Sequence, residues 1–165
     1  MDEVENKQSL DEKYVQALKK HRQAMYRVAF MMLKSPADAE DAVSMATVNT
    51  YRAIGRIHAW DAIKAYLMRV TVNACHDILR KRKREAVADV DVLLATQQTA
   101  PATTPIWMYT QQLPMPLRMV IQLRYGEDLS LKEIGQILRI PKGTVSSRLS
   151  RAQAMLRELI EKEGL

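Results

Sequence analysis

The chain has 165 residues, 47% of them hydrophobic and only 5% aromatic, with a formal charge of +6. That is enough for one ordinary domain or two small ones with mainly aliphatic cores, and the basic balance favours a polyanionic partner. A single cysteine, Cys75, excludes an intrachain disulfide. The acidic start MDEVENKQSLDEK lacks the pattern of a signal peptide, and no uncharged apolar run nears the ~20 residues of a membrane span. A cytoplasmic protein with no membrane insertion is therefore expected.

Residues 1–12 hold five acids and one base and read as an acidic, flexible N-terminus. Apolar spacing of three or four then begins with Tyr14, Leu18, His21, Met25, Val28 and Met32, which predicts a first helix over about 11–33. In SPADAEDAV, Ser35 is a good N-cap, Pro36 suits the first helical position and Asp38 stands where a capping carboxylate sits, so a second helix is predicted over about 36–54. Asp38, Asp41, Met45, Val48 and Arg52 share one of its faces. Gly55 to Asp61 reads as a loop.

A third helix is predicted over about 62–84, with Ile63, Leu67, Val70, Ala74 and Ile78 as its buried stripe. Arg69, Asn73, His76 and Arg80 fall at i, i+4, i+7 and i+11, and RKRKR, Arg80 to Arg84, continues the charge. Such a stripe suits a DNA backbone, with Asn73 able to read a base edge. Alone, RKRKR is equally a solvated helix end or a targeting patch. Residues 85–112 then carry three acids and no base, and Pro101 and Pro105 punctuate an Ala-, Thr- and Gln-rich stretch. About 86–105 reads as a linker, although VDVLLA within it can make local apolar contacts.

Beyond it, Ile106 to Gln112 suggests a short helix, followed by a break at Pro114, a helix over about 116–125 and a turn at Gly126. Ser130 and Glu133 form an S-x-x-E capping box, and Leu131, Ile134 and Leu138 give the next helix one apolar face. Arg139-Ile140-Pro141 ends it, with Pro141 placed as the first residue of a last helix. On that helix Val145, Leu149, Ala152, Leu156 and Leu159 make a core stripe. Gly143, Ser147 and Ser150 lie opposite, flanked by Thr144 and Arg151. This is the layout of a helix-turn-helix: small hydroxyl residues let the backbone approach DNA, arginine can reach guanine, and Lys142 at the helix N-terminus suits a phosphate. With no period-two pattern, the fold class is all-α, in two small helical domains over 13–85 and 106–165 joined by a flexible linker.

Nothing points to catalysis. There is no Gly-rich phosphate loop, and His21, His58 and His76 are scattered. Cys75 and His76 are neighbours that point about 100° apart on a helix, so neither a metal site nor a cofactor is expected.

The stretch LPMPLRMVIQLRYGEDLSLKEIGQILRIPKGTVSSRLSRAQAML resembles region 4 of bacterial sigma-70-family factors, most of all the extracytoplasmic-function (ECF) group. The L-P…R…LRY, S-x-x-E-I and I-P-x-G-T-V-x-S-R-L-x-R-A elements stand in order. MYRVAFMMLKSPADAEDAVSMATVNTYR and AYLMRVTVNACHDILRKRKR resemble region 2 of the same group. The resemblance implies a transcription initiation factor that binds core RNA polymerase, through the β′ clamp helices and the β flap, and carries it to promoter DNA. An anti-sigma protein is a further candidate partner. It implies that Lys142, Gly143, Thr144, Ser146, Ser147, Arg148, Ser150 and Arg151 meet the −35 element. Arg69, Asn73, His76, Arg80, Lys81, Lys83 and Arg84 would meet the −10 element, with His58 or Trp60 stacking an unpaired base. Asp38, Asp41, Met45, Val48 and Arg52 would dock on polymerase.

Three departures from the group stand out. Arg139 replaces the usual turn glycine, Ser44-Met45-Ala46-Thr47 replaces a run of Gln, Glu, Thr and an aromatic, and Tyr66 stands where Trp is usual, keeping an aromatic in the core. The competing readings are a stand-alone helix-turn-helix regulator, which leaves the upstream motifs unexplained, and a degenerate sigma-like interaction protein.

Overall fold

A helix with one apolar side must hide it, and the first three helices do so against each other. In the computed structural model, which describes residues 1–86 and 105–164, α1 is Asp2–Leu33, α2 is Pro36–Arg52 and α3 is Ile63–Ala86, and each packs on the other two. Met25, Val28, Ala39, Ala42, Ala46, Leu67, Met68 and Cys75 are almost fully buried in this bundle. Because α1 and α3 each face two neighbours, their buried faces are wider than a single stripe: Ala17, Ala24 and Ala29 join α1's, and Met68, Thr71, Val72 and Cys75 join α3's. Val70 and Ile78, expected inside, are half-buried at the edge, and so is Tyr66.

The first helix starts nine residues earlier than the periodicity suggests. Residues 1–9 are exposed, yet they continue α1, with Asp2, Glu3 and Glu5 in its first turn, where carboxylates favour the helix dipole. The acidic N-terminus is helical. At α2, Ser35 caps as expected, its hydroxyl accepting from Asp38 N–H at 3.3 Å. The Asp38 carboxylate does not return to the cap; it pairs with Arg82 of α3. The 55–61 loop is two short 3-10 turns, Ile54–Arg56 and Trp60–Ala62, around an extended link in which Ile57 is buried.

The chain divides into two compact units, Met1–Ala95 and Thr96–Leu165. Of the linker reading over 86–105, Ala86 closes α3 and Pro105 opens α4, while 87–104 lie outside the described residues.

In the second unit α4 is Pro105–Thr110, α5 is Met115–Ile121, α6 is Leu131–Leu138 and α7 is Lys142–Lys162. The helix predicted to reach 125 changes at Gln122 into one π-helical turn, Gln122–Gly126. Buried Gln122 there donates to buried Glu127 at 3.1 Å, and Arg124 donates to Leu129 O at 2.9 Å, fixing the chain's entry into α6. Arg118 does the same upstream, donating to Gln111 O and Leu113 O at 2.8 and 2.9 Å. The Ser130–Glu133 box forms in both directions, each bond 3.1 Å. Pro141 is the N-cap of α7, one residue before the position expected, with an extended ψ of 149° that no helical residue adopts.

The turn between α6 and α7 rests on one close approach. Arg139 is left-handed, with φ 56°, and Ile140 N–H reaches back to Gly135 O at 3.0 Å. A Cβ added to Gly135 would stand 2.8 Å from Ile140 O. The smallest residue is thus needed inside α6, whereas the left-handed position carries a side chain. Gly135→Ala is expected to lower stability by about 1–3 kcal/mol, since backbone cannot yield as a side chain does. Arg139→Gly is expected to raise it by about 1 kcal/mol. Thermal denaturation of the two variants, which should move in opposite directions, checks both.

Candidate functional site

The core side of α7 determines what the other side can be. Val145, Leu149, Ala152 and Leu156 are buried against α5 and α6, and Leu159 is half-buried. That leaves Lys142, Gly143, Ser147, Ser150 and Arg151 exposed, with Thr144, Ser146 and Arg148 partly so. Gly143 has no internal reason to be glycine, because a Cβ there would meet nothing within 4 Å. It is the second residue of α7 and stands in the exposed first turn of the helix. The smooth face is thus not dictated by packing within the free domain. The helix also starts with no side-chain cap at Pro141, so its positive end is open to an anion.

In the first unit, α3 presents Arg69, His76, Arg80, Lys81, Lys83 and Arg84 to solvent, with Asn73 half-buried among them. Two of these bases have local company. The Arg69 guanidinium lies 5.1 Å from the Tyr66 ring centre, and Arg80 pairs with Asp77 one turn before it. In the preceding loop His58 is exposed and Trp60 half-buried, with Lys13 Nζ of α1 6.0 Å from the Trp60 ring centre. Arg82, inside the same RKRKR run, behaves differently. It is half-buried, donates to Leu33 O at 3.0 Å and pairs with Asp38.

On α2, Asp41, Met45, Val48 and Arg52 are exposed along one face, and Val48 shows nearly half its surface (49%). Asp38 is the exception, its carboxylate already engaged. Sequence reasoning missed Tyr51, 43% exposed, whose spacing of three from Val48 was the available signal. Its ring centre lies 5.7 Å from that of Tyr14, and the Asp11 carboxylate beside its hydroxyl raises its pKa. Tyr14 anchors the pair: it is buried, and its hydroxyl donates to Thr47 O of α2.

Also missed is a groove of about 600 Å³ in the second unit, where Ile106 and Trp107 of α4, Ile121, Tyr125, and Leu156 and Ile160 of α7 meet. Tyr109 ties α4 to the end of α7 by donating to Glu163 Oε2 at 2.7 Å. The short α4 gave too few residues for its periodicity to be read.

Among the described residues no group of three or more His, Cys, Asp or Glu side chains could hold a metal ion, and no helix is long and apolar enough to cross a membrane.

A basic helix face in each unit, one of them on a helix-turn-helix, and a mixed apolar and charged face on α2 suit a DNA-binding protein with a protein partner. The Sigma-70 region 2 family matches residues 17–85, and the Sigma-70 region 4 family matches 111–158. The RNA polymerase sigma factor SigV of Bacillus subtilis is 29% identical over 98% of this chain and 99% of its own length. The RNA polymerase sigma-E factor of Streptomyces avermitilis is 34% identical over 93% and 87%. The ECF sigma factor SigM of Mycobacterium tuberculosis is 30% identical over 88% and 76%. Among solved structures, the sigma factor RpoE of Bartonella quintana, held by the anti-sigma factor NepR, shares the fold with a TM-score of 0.77 at 23% identity, covering 90% of this chain and 96% of that one. CnrH, in complex with the cytosolic domain of CnrY, does so at 0.63 and 22%, covering 92% and 89%. The chain belongs to the ECF group of sigma-70-family RNA polymerase sigma factors. It binds core RNA polymerase and promoter DNA and directs transcription initiation.

Cys75 lies on the inner side of α3, fully buried, and burial pushes its thiol up to about 12. It stays protonated through neutral and mildly alkaline pH, and the thiolate is the reactive form. In the folded protein at pH 8, Ellman's reagent is expected to find almost no reactive thiol, and after denaturation one per chain.

Proposed function

We propose that the second unit reads the −35 element through α7 and the first reads the −10 element through α3 and the loop before it. The observation that carries this is the outward face of α7, where Gly143 has no partner of its own and small hydroxyl residues flank Arg151. A surface kept this smooth suits the major groove. Thr144, Ser146, Ser147, Arg148 and Ser150 supply phosphate and base-edge contacts, and Lys142 with the open helix end holds a phosphate. On α3, Arg69, His76, Arg80, Lys81, Lys83 and Arg84 track the backbone and Asn73 reads a base. Trp60, with His58 beside it, gives the stacking surface that offsets the few kcal/mol needed to unstack a base.

Asp41, Met45, Val48, Tyr51 and Arg52 form the polymerase face on α2, apolar at the centre and charged at the rim, as a protein interface requires. The Ile106–Tyr125–Ile160 groove takes a second polymerase segment, which we assign to the β flap. The domains follow as 13–85 and 106–165, with 86–105 between. The protein works in the cytoplasm as a non-catalytic initiation factor. An anti-sigma partner is supported by the complexes in which RpoE of Bartonella quintana and CnrH were solved.

The test is a pull-down with core RNA polymerase, followed by run-off transcription on sheared genomic DNA and mapping of the starts. Discrete transcripts with shared upstream elements are expected. Specific DNA binding without core binding would instead favour a stand-alone regulator. On the mapped promoters, Arg151→Ala is expected to weaken binding about tenfold on the cognate −35 sequence and little on a scrambled one, as for the loss of a bidentate base contact. Equal loss on both would reduce Arg151 to a phosphate contact. Asp41→Lys is expected to lower affinity for core about tenfold with unchanged helicity by circular dichroism, by reversing a charge that faces a basic partner.

A further inference from the structure

The basic end of α3 has little to hold it in place. Past Cys75 no residue of the helix is fully buried, and only Ile78, Leu79 and Arg82 are even half-buried. Arg82 is the last of them, and it reaches two elements at once. One of its guanidinium nitrogens donates to Leu33 O, 3.0 Å away at the end of α1, and the other pairs with Asp38 in the first turn of α2. Side-chain exposures of 37% and 32% place this pair at the bundle's edge, neither fully solvated nor sealed. Asp38 is held in turn, since its N–H donates to the Ser35 hydroxyl. The flanking Lys81, Lys83 and Arg84 are exposed.

We propose that Asp38 serves promoter DNA rather than polymerase, as a positioning residue that fastens the basic end of α3 through Arg82. This rests on the reading of α3 as the −10 helix. An anchored tail presents Lys81, Lys83 and Arg84 already ordered. An unanchored one frays, and DNA binding must then supply the ordering of several long side chains. The exposed Asp41, one turn away on the same helix, makes no such bond and remains on the polymerase face.

The proposal predicts a sign. Removing a carboxylate from a DNA-binding protein should, by charge alone, tighten binding. Loss of positioning should weaken it. The experiment measures the full-length protein on a fluorescein-labelled 30-base-pair duplex of mixed sequence across a salt series, and on core RNA polymerase. Every variant keeps the second unit unchanged, so differences belong to the first.

Asp38→Ala is expected to weaken duplex binding roughly three- to tenfold, as ordering costs of this size imply. It should keep core affinity within twofold and speed amide exchange over residues 79–86. Asp41→Ala, matched in charge, should leave duplex binding equal or tighter and the exchange unchanged. Arg82→Lys, which keeps the charge but cannot fork to both partners, should fall between wild type and Asp38→Ala. Equal or tighter duplex binding by Asp38→Ala would overturn the proposal, as would loss of core binding with duplex binding intact. The doubly substituted Lys83→Ala/Arg84→Ala keeps the two failures apart. If it binds duplex as wild type does, the −10 reading of the α3 end fails. If it is weakened while Asp38→Ala is not, only the positioning role fails.

Discussion

A helix has one inward face, and on α7 that face is taken by Val145, Leu149, Ala152 and Leu156. Everything else about the second unit follows from seating this stripe. α6 can brace α7 only if the chain reverses within a few residues, and it can do so only because Gly135 lets the Ile140 carbonyl come close. Once the stripe is seated, the opposite face has no choice of environment. Its composition then reports on the partner, because the protein's own packing asks nothing of it.

The same reasoning separates the basic residues of the first unit, where sign alone says little. Arg80 and Arg82 differ by two positions in one run of five bases. Arg80 makes a local pair on the solvent side with Asp77, a contact of the kind that contributes little to stability in water. Arg82 points across the bundle to a backbone carbonyl and a carboxylate on two other helices. A count of charges in RKRKR treats them alike, and the direction of each on the helix does not.

Most of the architecture was legible in the sequence because its signals are local. The Ser130–Glu133 box and the Ser35 cap sit where their spacing placed them, and the α7 stripe follows a period of 3.6. What was not legible depends on neighbours far along the chain. Residues 2–10 carry no apolar stripe, so nothing announced that they would continue a helix nucleated further on. The pairing of Asp38 with Arg82 carries no local signal because the two lie 44 residues apart. Tyr51 stands outside the core, its ring 5.7 Å from that of the buried Tyr14, a contact across 37 residues of chain that no local pattern announces. Chemistry and spacing could nominate the candidate faces. Only packing could say which members of a face are already engaged.

The buried position of Cys75 has a practical side. A protein whose one native thiol is sealed in its core does not need that thiol removed before a dye or spin label is attached elsewhere. A cysteine introduced at an exposed position such as Gln23 or Gln136 would be the sole labelling point on the native chain. With one such cysteine in each unit, the separation of the two units, free and on polymerase, becomes a distance that fluorescence can follow in solution.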